Sequence, residues 1–411
     1  MKRAFGTVER ITGVDTPGQL TAYLVALGHG GTHWVMGTVY ILVPFVRQDL
    51  GLSYAEVGAV YTAMAMAAFA INIGSGVIVD LTGRRVLLLG LGLGFCAMAL
   101  MVIGLVPSLL GLTLGVMIIG GANNLWHPAA FSFLAGRFPN NRGFALSVHG
   151  VGANIGDALG PLAAGGLMVW FGWQGAAIAN ALPMFGFAVI IVLIMWRGER
   201  RDRTEAPPSV NLRTYFQGMI RMVKQRAVLG VCLLAGCRTM TQNGIYVFLP
   251  LYLTDVIGIE AVVLGFVMAT MQTGGMVSGP IAGTWSDRIG RRPIVLAGLA
   301  ATVLVVVMLT LIRDEILLVA TVGLLGFALF AVRPVVHSWM MDLTPPGMSG
   351  GATSLVFGAQ SAMRMVIPIL GGFVADTWGL IHVFHLVVAI AVLGIITAAL
   401  VPVQKTAAAA P

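Results

Sequence analysis

Apolar runs cut by short polar breaks follow one another along nearly the whole chain. Twelve of them are long enough to cross a hydrocarbon core of roughly 30 Å as helices. In the first half the runs cover 19–46, 54–79, 86–107, 109–136, 144–170 and 175–196. In the second half they cover 227–253, 261–283, 293–312, 315–341, 350–375 and 381–402. The expected fold class is therefore an all-α membrane protein.

The breaks repeat as well as the runs. Gly76-Val-Ile-Val-Asp80-Leu-Thr-Gly83-Arg84-Arg85 returns as Gly283-Thr-Trp-Ser-Asp287-Arg288-Ile-Gly290-Arg291-Arg292, with the two acids 207 residues apart (287 − 80). Pro161 and Pro368 share that offset (368 − 161). Charges this dense do not lie in hydrocarbon, so each copy is expected in a tight loop at a membrane surface. The chain divides into an N-terminal six-helix bundle (1–198), a linker with a basic amphipathic helix (199–226) and a C-terminal six-helix bundle (227–411).

Composition agrees with that pattern. Hydrophobic residues make up 58% and charged residues 10%, against about 25% charged in soluble domains. The 54 glycines point to helix backbones packing closely in lipid. Residues 1–17 are charged and polar and the next run is a full-length span, so no cleavable signal peptide is expected.

The net charge of +8 is not a nucleic-acid signature, because of where the charges fall. Nineteen of the 24 Lys and Arg lie in breaks on one side, while only Arg47 and Arg313 lie on the other. The positive-inside rule then places both termini in the cytoplasm of a bacterial-type inner membrane. The stretch Leu212 to Lys224 mixes apolar and basic residues at helical spacing and is expected on the anionic leaflet surface. Cys96, Cys232 and Cys237 lie in apolar runs without ligand spacing and read as small buried hydrophobes. No Gly-Lys-Ser/Thr phosphate loop is present, which argues against ATP-driven chemistry, and no enzyme signature appears.

Two six-span halves, a central basic loop and the repeated Gly-x-x-x-Asp-x-x-Gly-Arg-Arg phrase resemble the major facilitator superfamily over essentially the whole chain. Span five, Gly152-Ala-Asn-Ile-Gly156-Asp157-Ala-Leu-Gly160-Pro161, is similar to the glycine-rich motif of that family's exporters. With His127-Pro128 and Arg142-Gly143 it resembles the fosmidomycin-resistance and drug:proton antiporter branch. The resemblance implies a cytoplasmic latch at Gly76, Asp80, Gly83, Arg84 and Arg85, repeated at Gly283, Asp287, Arg288, Gly290, Arg291 and Arg292. It also implies a central cavity lined by spans one, four, seven and ten.

Few polar groups fall deep in the spans, and a charge there costs about 2.5–3.5 kcal/mol on insertion scales. They are His29 and His33 in span one, His127 in span four, and His149 and Asp157 in span five. The second half adds Arg238 in span seven, Arg333 and His337 in span ten, and Arg364 in span eleven. Three arginines and five histidines against one acid suit an anionic substrate, since guanidinium donates bidentate hydrogen bonds to anionic oxygens. The expected substrate-binding set is His29, His33, Asn124, His127, Arg238, Gln242, Arg333 and His337. Asn123, Asn243, Trp34, Trp126 and Tyr246 are further wall candidates.

Asp157 is expected either to carry protons or to sit in a fixed ion pair; its repeat mate is Arg364 (364 − 157 = 207). His29 and His33 lie one turn apart. Span one gives them neither a third ligand nor a supporting carboxylate, so no metal site and no cofactor is expected. The reading is a monomeric, proton-coupled carrier that exports a small organic anion or anionic drug by alternating access. Uptake by proton symport, metalloid or metal-complex efflux, and a nontransporting sensor are the alternatives.

Overall fold

The computed structural model describes residues 2–199, 220–344 and 349–402. Most of the linker expected at 199–226, most of its basic amphipathic stretch, and the tail with Lys405 lie outside them. Among the described residues twelve α-helices follow in order: α1 (Lys2–Thr12), α2 (Thr16–Leu50), α3 (Tyr54–Thr82), α4 (Arg85–Leu105), α5 (Leu109–Arg137) and α6 (Arg142–Glu199), then α7 (Arg226–Tyr252), α8 (Ala261–Ile289), α9 (Arg291–Leu311), α10 (Glu315–Asp342), α11 (Ser349–Trp378) and α12 (Leu380–Leu400). A π turn, Leu253–Ile257, continues α7 past Pro250.

Helix α6 holds two of the expected spans. At 58 residues it would reach nearly 90 Å if straight. The chain breaks instead at Gly172 (φ 62°, ψ −176°), a conformation side-chain-bearing residues rarely adopt. Counting its two arms separately, the twelve expected spans are all present, with ends shifted by a few residues. Nine described helices are long and apolar enough to cross a membrane. Helices α2 and α7 fall short of that criterion; they carry His29, Thr32 and His33, and Arg238, Thr239, Thr241, Gln242 and Asn243.

One element was not foreseen. Residues 2–12, read from the sequence only as a polar start, form α1. Its last residue bonds back, Thr12 Oγ1 to the Val8 carbonyl, and Gln19 Nε2 of α2 donates to the carbonyls of Phe5 and Val14. Asp15 then caps α2 by accepting from the Gly18 N–H.

The repeat is built into the backbone. Gly51 and Gly258, Gly83 and Gly290, and Gly172 and Gly379 all have positive φ, and each pair is 207 residues apart (258 − 51, 290 − 83, 379 − 172). The same chain reversals therefore recur at matching points of the two sequence halves.

The described chain clusters into two compact units. Unit 1 comprises Met1–Ala206, Tyr246–Thr273 and Pro368–Ile381, and unit 2 comprises Pro207–Ile245, Gly274–Ile367 and His382–Pro411. Unit 1 packs around buried Val35, Ile41, Leu89, Leu93, Leu100 and Trp126. Within it, an added Cβ at Gly265 would lie 2.5 Å from the Pro161 carbonyl oxygen, and one at Gly58 would meet the Pro368 carbonyl. Gly165 meets Ala261 and Gly372 meets Tyr54 in the same way. Unit 2 packs around Val228, Leu234, Leu299, Val332, Val336 and Met340.

Candidate functional site

The polar groups foreseen in the spans gather into two clusters, one in each unit. In unit 1 the cluster is made possible by glycine. A Cβ at Gly152 would run into the Ala26 carbonyl, one at Gly156 into the Gly30 carbonyl, and one at Gly160 would lie 2.6 Å from the Trp34 carbonyl. Gly152, Gly156 and Gly160 share one helical face at four-residue spacing, so the backbones of α2 and α6 touch along two turns.

That contact sets the histidine geometry. His29, 5% exposed, has its Nδ1 2.8 Å from the His149 carbonyl oxygen, and the two rings stack at 3.8 Å. One turn on, His33 Nδ1 lies 3.0 Å from Asp157 Oδ2, with the two side chains 25% and 23% exposed. From α5, His127 Nδ1 lies 2.8 Å from the Asn123 carbonyl and its Nε2 lies 3.3 Å from His29 Nε2. One ring nitrogen from each of His29, His33 and His127 lies within 4.8 Å of the others.

Two sequence expectations change here. His29 and His33 do have a third imidazole nearby and a supporting carboxylate, but these come from α5 and α6, not from span one. Asp157 is not solitary; its isolation, the ground for a proton-carrying role, gives way to a pairing with His33. His127 Nδ1 is turned to the Asn123 carbonyl, one residue before the carbonyl that Pro128 leaves without a backbone donor.

The cluster in unit 2 is cationic. Arg238 on α7 is 3% exposed, and His337 on α10 lies within electrostatic reach of both Arg238 and Arg333. Arg333 is exposed and Gln242, one turn beyond Arg238, is half-buried. Arg364 is exposed, and its carbonyl accepts from Asn243 Nδ2 at 3.2 Å. The two guanidinium groups and one imidazole thus share a neighbourhood, while Asn124 belongs to unit 1 and spends its amide on the Gly120 carbonyl of its own helix.

The aromatic candidates serve packing or local hydrogen bonds. Trp34 Nε1 donates to Asn180 Oδ1 at 2.7 Å, Trp126 is fully buried, and Tyr246 exchanges hydrogen bonds with Gln272.

The second latch motif closes a local network within unit 2. Arg291 bonds Asp287, Ser286 Oγ at 2.8 Å and Asp342 Oδ2 at 2.9 Å. Arg292 Nε donates to the Ala398 carbonyl at 3.0 Å, and Arg288 is exposed. In the first copy Gly83 ends α3 with φ 60°, Arg84 is exposed and Arg85 half-buried, and the Asp80 side chain lies outside the described set. Gly76 and Gly283 leave open space where a Cβ would go.

One polar centre escaped the sequence reading. Asp255, in the π turn, accepts from Arg47 Nη1 at 2.9 Å, Gln48 Nε2 at 2.7 Å and Tyr54 Oη at 2.9 Å. Asp376 accepts from the backbone N–H groups of Tyr54 and Ala55 at 2.9 and 2.8 Å, capping α3 from α11. The signal was available: Arg47 is one of only two basic residues on its side, and Gln48 and Asp255 occupy repeat-equivalent positions (255 − 48 = 207).

Comparison with known proteins agrees with this architecture. The sequence profile described as Major Facilitator Superfamily matches residues 25–260 and again 231–411. A multidrug resistance protein MdtG of Dickeya zeae is 26% identical over 318 residues, 75% of each chain. The fosmidomycin resistance protein of Escherichia coli is 20% identical over 383 residues, covering 91% of this chain and 90% of that protein. In three dimensions, an inward-facing, occupied bacterial homologue of the human lysosomal transporter Spinster superposes with a TM-score of 0.75 at 13% identity, covering 93% and 96% of the two chains.

Proposed function

The chain belongs to the Major Facilitator Superfamily, and on that premise we propose that it is a proton-coupled carrier that exports a small organic anion by alternating access. It is a multi-pass membrane transporter and not an enzyme. The observation that carries the substrate class is the grouping of Arg238, Arg333 and His337. Two guanidinium groups near one imidazole form a site that attracts carboxylate, sulfonate or phosphonate oxygens and repels cations. Such a charge is costly at membrane depth, so it is retained where a ligand or water meets it.

Export is the proposed direction because relatives are named for multidrug and fosmidomycin resistance. Proton entry is the proposed driving force, and the asymmetry of Lys and Arg supports cytoplasmic termini in a bacterial plasma membrane. The carrier is proposed to act as a monomer, with the two Asp-x-x-Gly-Arg-Arg loops as its cytoplasmic latch.

The test is cellular accumulation of labelled carboxylates, sulfonates and phosphonates. Cells expressing the protein are expected to retain less of at least one such anion than cells expressing equal amounts of Arg238→Gln or Arg333→Gln in the membrane. Equal retention with both variants, or export of organic cations alone, sinks the anion reading.

A further inference from the structure

We propose that His29, His33 and His127 form a binding site for a late first-row transition-metal dication of the Zn2+ class, oriented by Asp157 and two backbone carbonyls. The site does not depend on what the protein transports.

The hydrogen bonds fix the tautomers. A carbonyl oxygen only accepts, and an ionised carboxylate does likewise. His29 Nδ1 faces the His149 carbonyl, His127 Nδ1 faces the Asn123 carbonyl and His33 Nδ1 faces Asp157 Oδ2. All three Nδ1 atoms are therefore placed to donate, and in its neutral form each ring presents its lone pair at Nε2. Two of those lone pairs, on His29 and His127, point at each other across 3.3 Å. Two lone pairs so placed repel unless a shared proton or a metal cation lies between them.

The spacing suits a metal. With bonds of about 2.0–2.1 Å in a tetrahedral shell, neighbouring donor nitrogens lie about 3.3–3.4 Å apart. The His29–His127 pair already has this separation, and one ring nitrogen from each of the three histidines lies within 4.8 Å of the others. His33 is the member that must draw in, and its quarter-exposed side chain has room to do so. The outer contacts match the usual support of a metal-bound imidazole, whose second nitrogen donates to a carboxylate or carbonyl. Three imidazoles favour zinc, copper, nickel or cobalt over magnesium or calcium, which take oxygen ligands. The exposure at His33 and Asp157 leaves a fourth position for water or an anion.

The cluster is also private to one half of the repeat. The positions matching His29, His33, His127 and Asp157 are Gly236, Met240, Pro334 and Arg364 (each + 207). The shared scaffold does not require these side chains, so their convergence needs a separate reason, and metal binding supplies one.

The test uses the full-length protein, purified in detergent with any affinity tag removed, and Co2+ as a spectroscopic stand-in displaced by Zn2+. We expect one equivalent of Co2+ to give the visible band of a low-coordinate nitrogen site. His33→Ala and His127→Ala should each weaken binding by at least about 100-fold, and Asp157→Asn by about 10–100-fold. His382→Ala, in a histidine pair on α12 that lies outside this cluster (5.4 Å between rings), should leave the band unchanged. Each variant is compared at matched elution and unfolding profile; His33→Asn and His127→Gln replace any alanine variant that fails that check. No saturable one-equivalent binding at micromolar metal, or a band that survives in the His33 and His127 variants, overturns the site.

Discussion

The carbonyl oxygen of Pro161 lies against the bare Cα of Gly265, leaving an added Cβ only 2.5 Å away. Its repeat partner, Pro368, meets Gly58 in the same way. Both obstacles are backbone atoms and cannot swing aside as a side chain would. Gly58→Ala and Gly265→Ala are therefore each expected to lower stability in detergent by about 1–3 kcal/mol. Gly76→Ala and Gly283→Ala meet open space within helices, so they are expected to be neutral or stabilising by up to about 1 kcal/mol. Thermal unfolding of the four variants checks this; equal losses at all four would mean the close approaches are not what holds these helices.

Burial decides which acid matters. Asp255 is 8% exposed and accepts from four side chains, so Asp255→Ala strands a half-buried arginine and should cost about 3 kcal/mol or more. Asp342 is 52% exposed beside Arg291, and Asp342→Ala should cost less than about 1 kcal/mol. Unfolding midpoints of the two variants should differ in that order, and a reversed order would refute the ranking.

The α2–α6 contact is expected to govern the histidine cluster without being a ligand itself. Gly156→Val forces the Gly30 carbonyl away and with it the register of Asp157 on His33. Co2+ affinity should fall at least about tenfold although all three imidazoles remain. Unchanged affinity in a folded Gly156→Val protein would show that the close approach does not position the ligands.

What could be read in the sequence followed from solvent and backbone alone. Runs long enough to cross a bilayer, the break between 170 and 175 and the 207-residue offset are all properties of chain order, and the structure reproduces each. The histidine site was hidden because its ligands come from three helices: one turn of α2 supplies two, and α5 and α6 supply the third imidazole and the carboxylate. The packing of Gly152, Gly156 and Gly160 on α2 brings the carboxylate to the two α2 histidines, and a motif that says "close contact" does not name the contact. Asp157 looked solitary for the same reason. Helix α1 was missed because eleven residues of mixed polarity carry no span signal; its tie to Gln19 appears only once the chain is folded.

The cationic cluster gives the sharpest functional contrast. Each charged hydrogen bond to a substrate oxygen is worth about 1.5–3 kcal/mol, so Arg238→Gln should slow anion flux by at least about tenfold. Arg364→Gln, which alters a cation outside the cluster, should change flux much less. Initial rates at equal protein density check both.

The most direct measurement is anion accumulation in proteoliposomes under an imposed pH gradient. Vesicles made acidic inside should concentrate an organic anion as protons leave, lose that ability with a protonophore, and fail to concentrate it when they contain Arg238→Gln. Accumulation only when the outside is acidic, or undiminished accumulation by Arg238→Gln, would contradict export through an arginine-lined site.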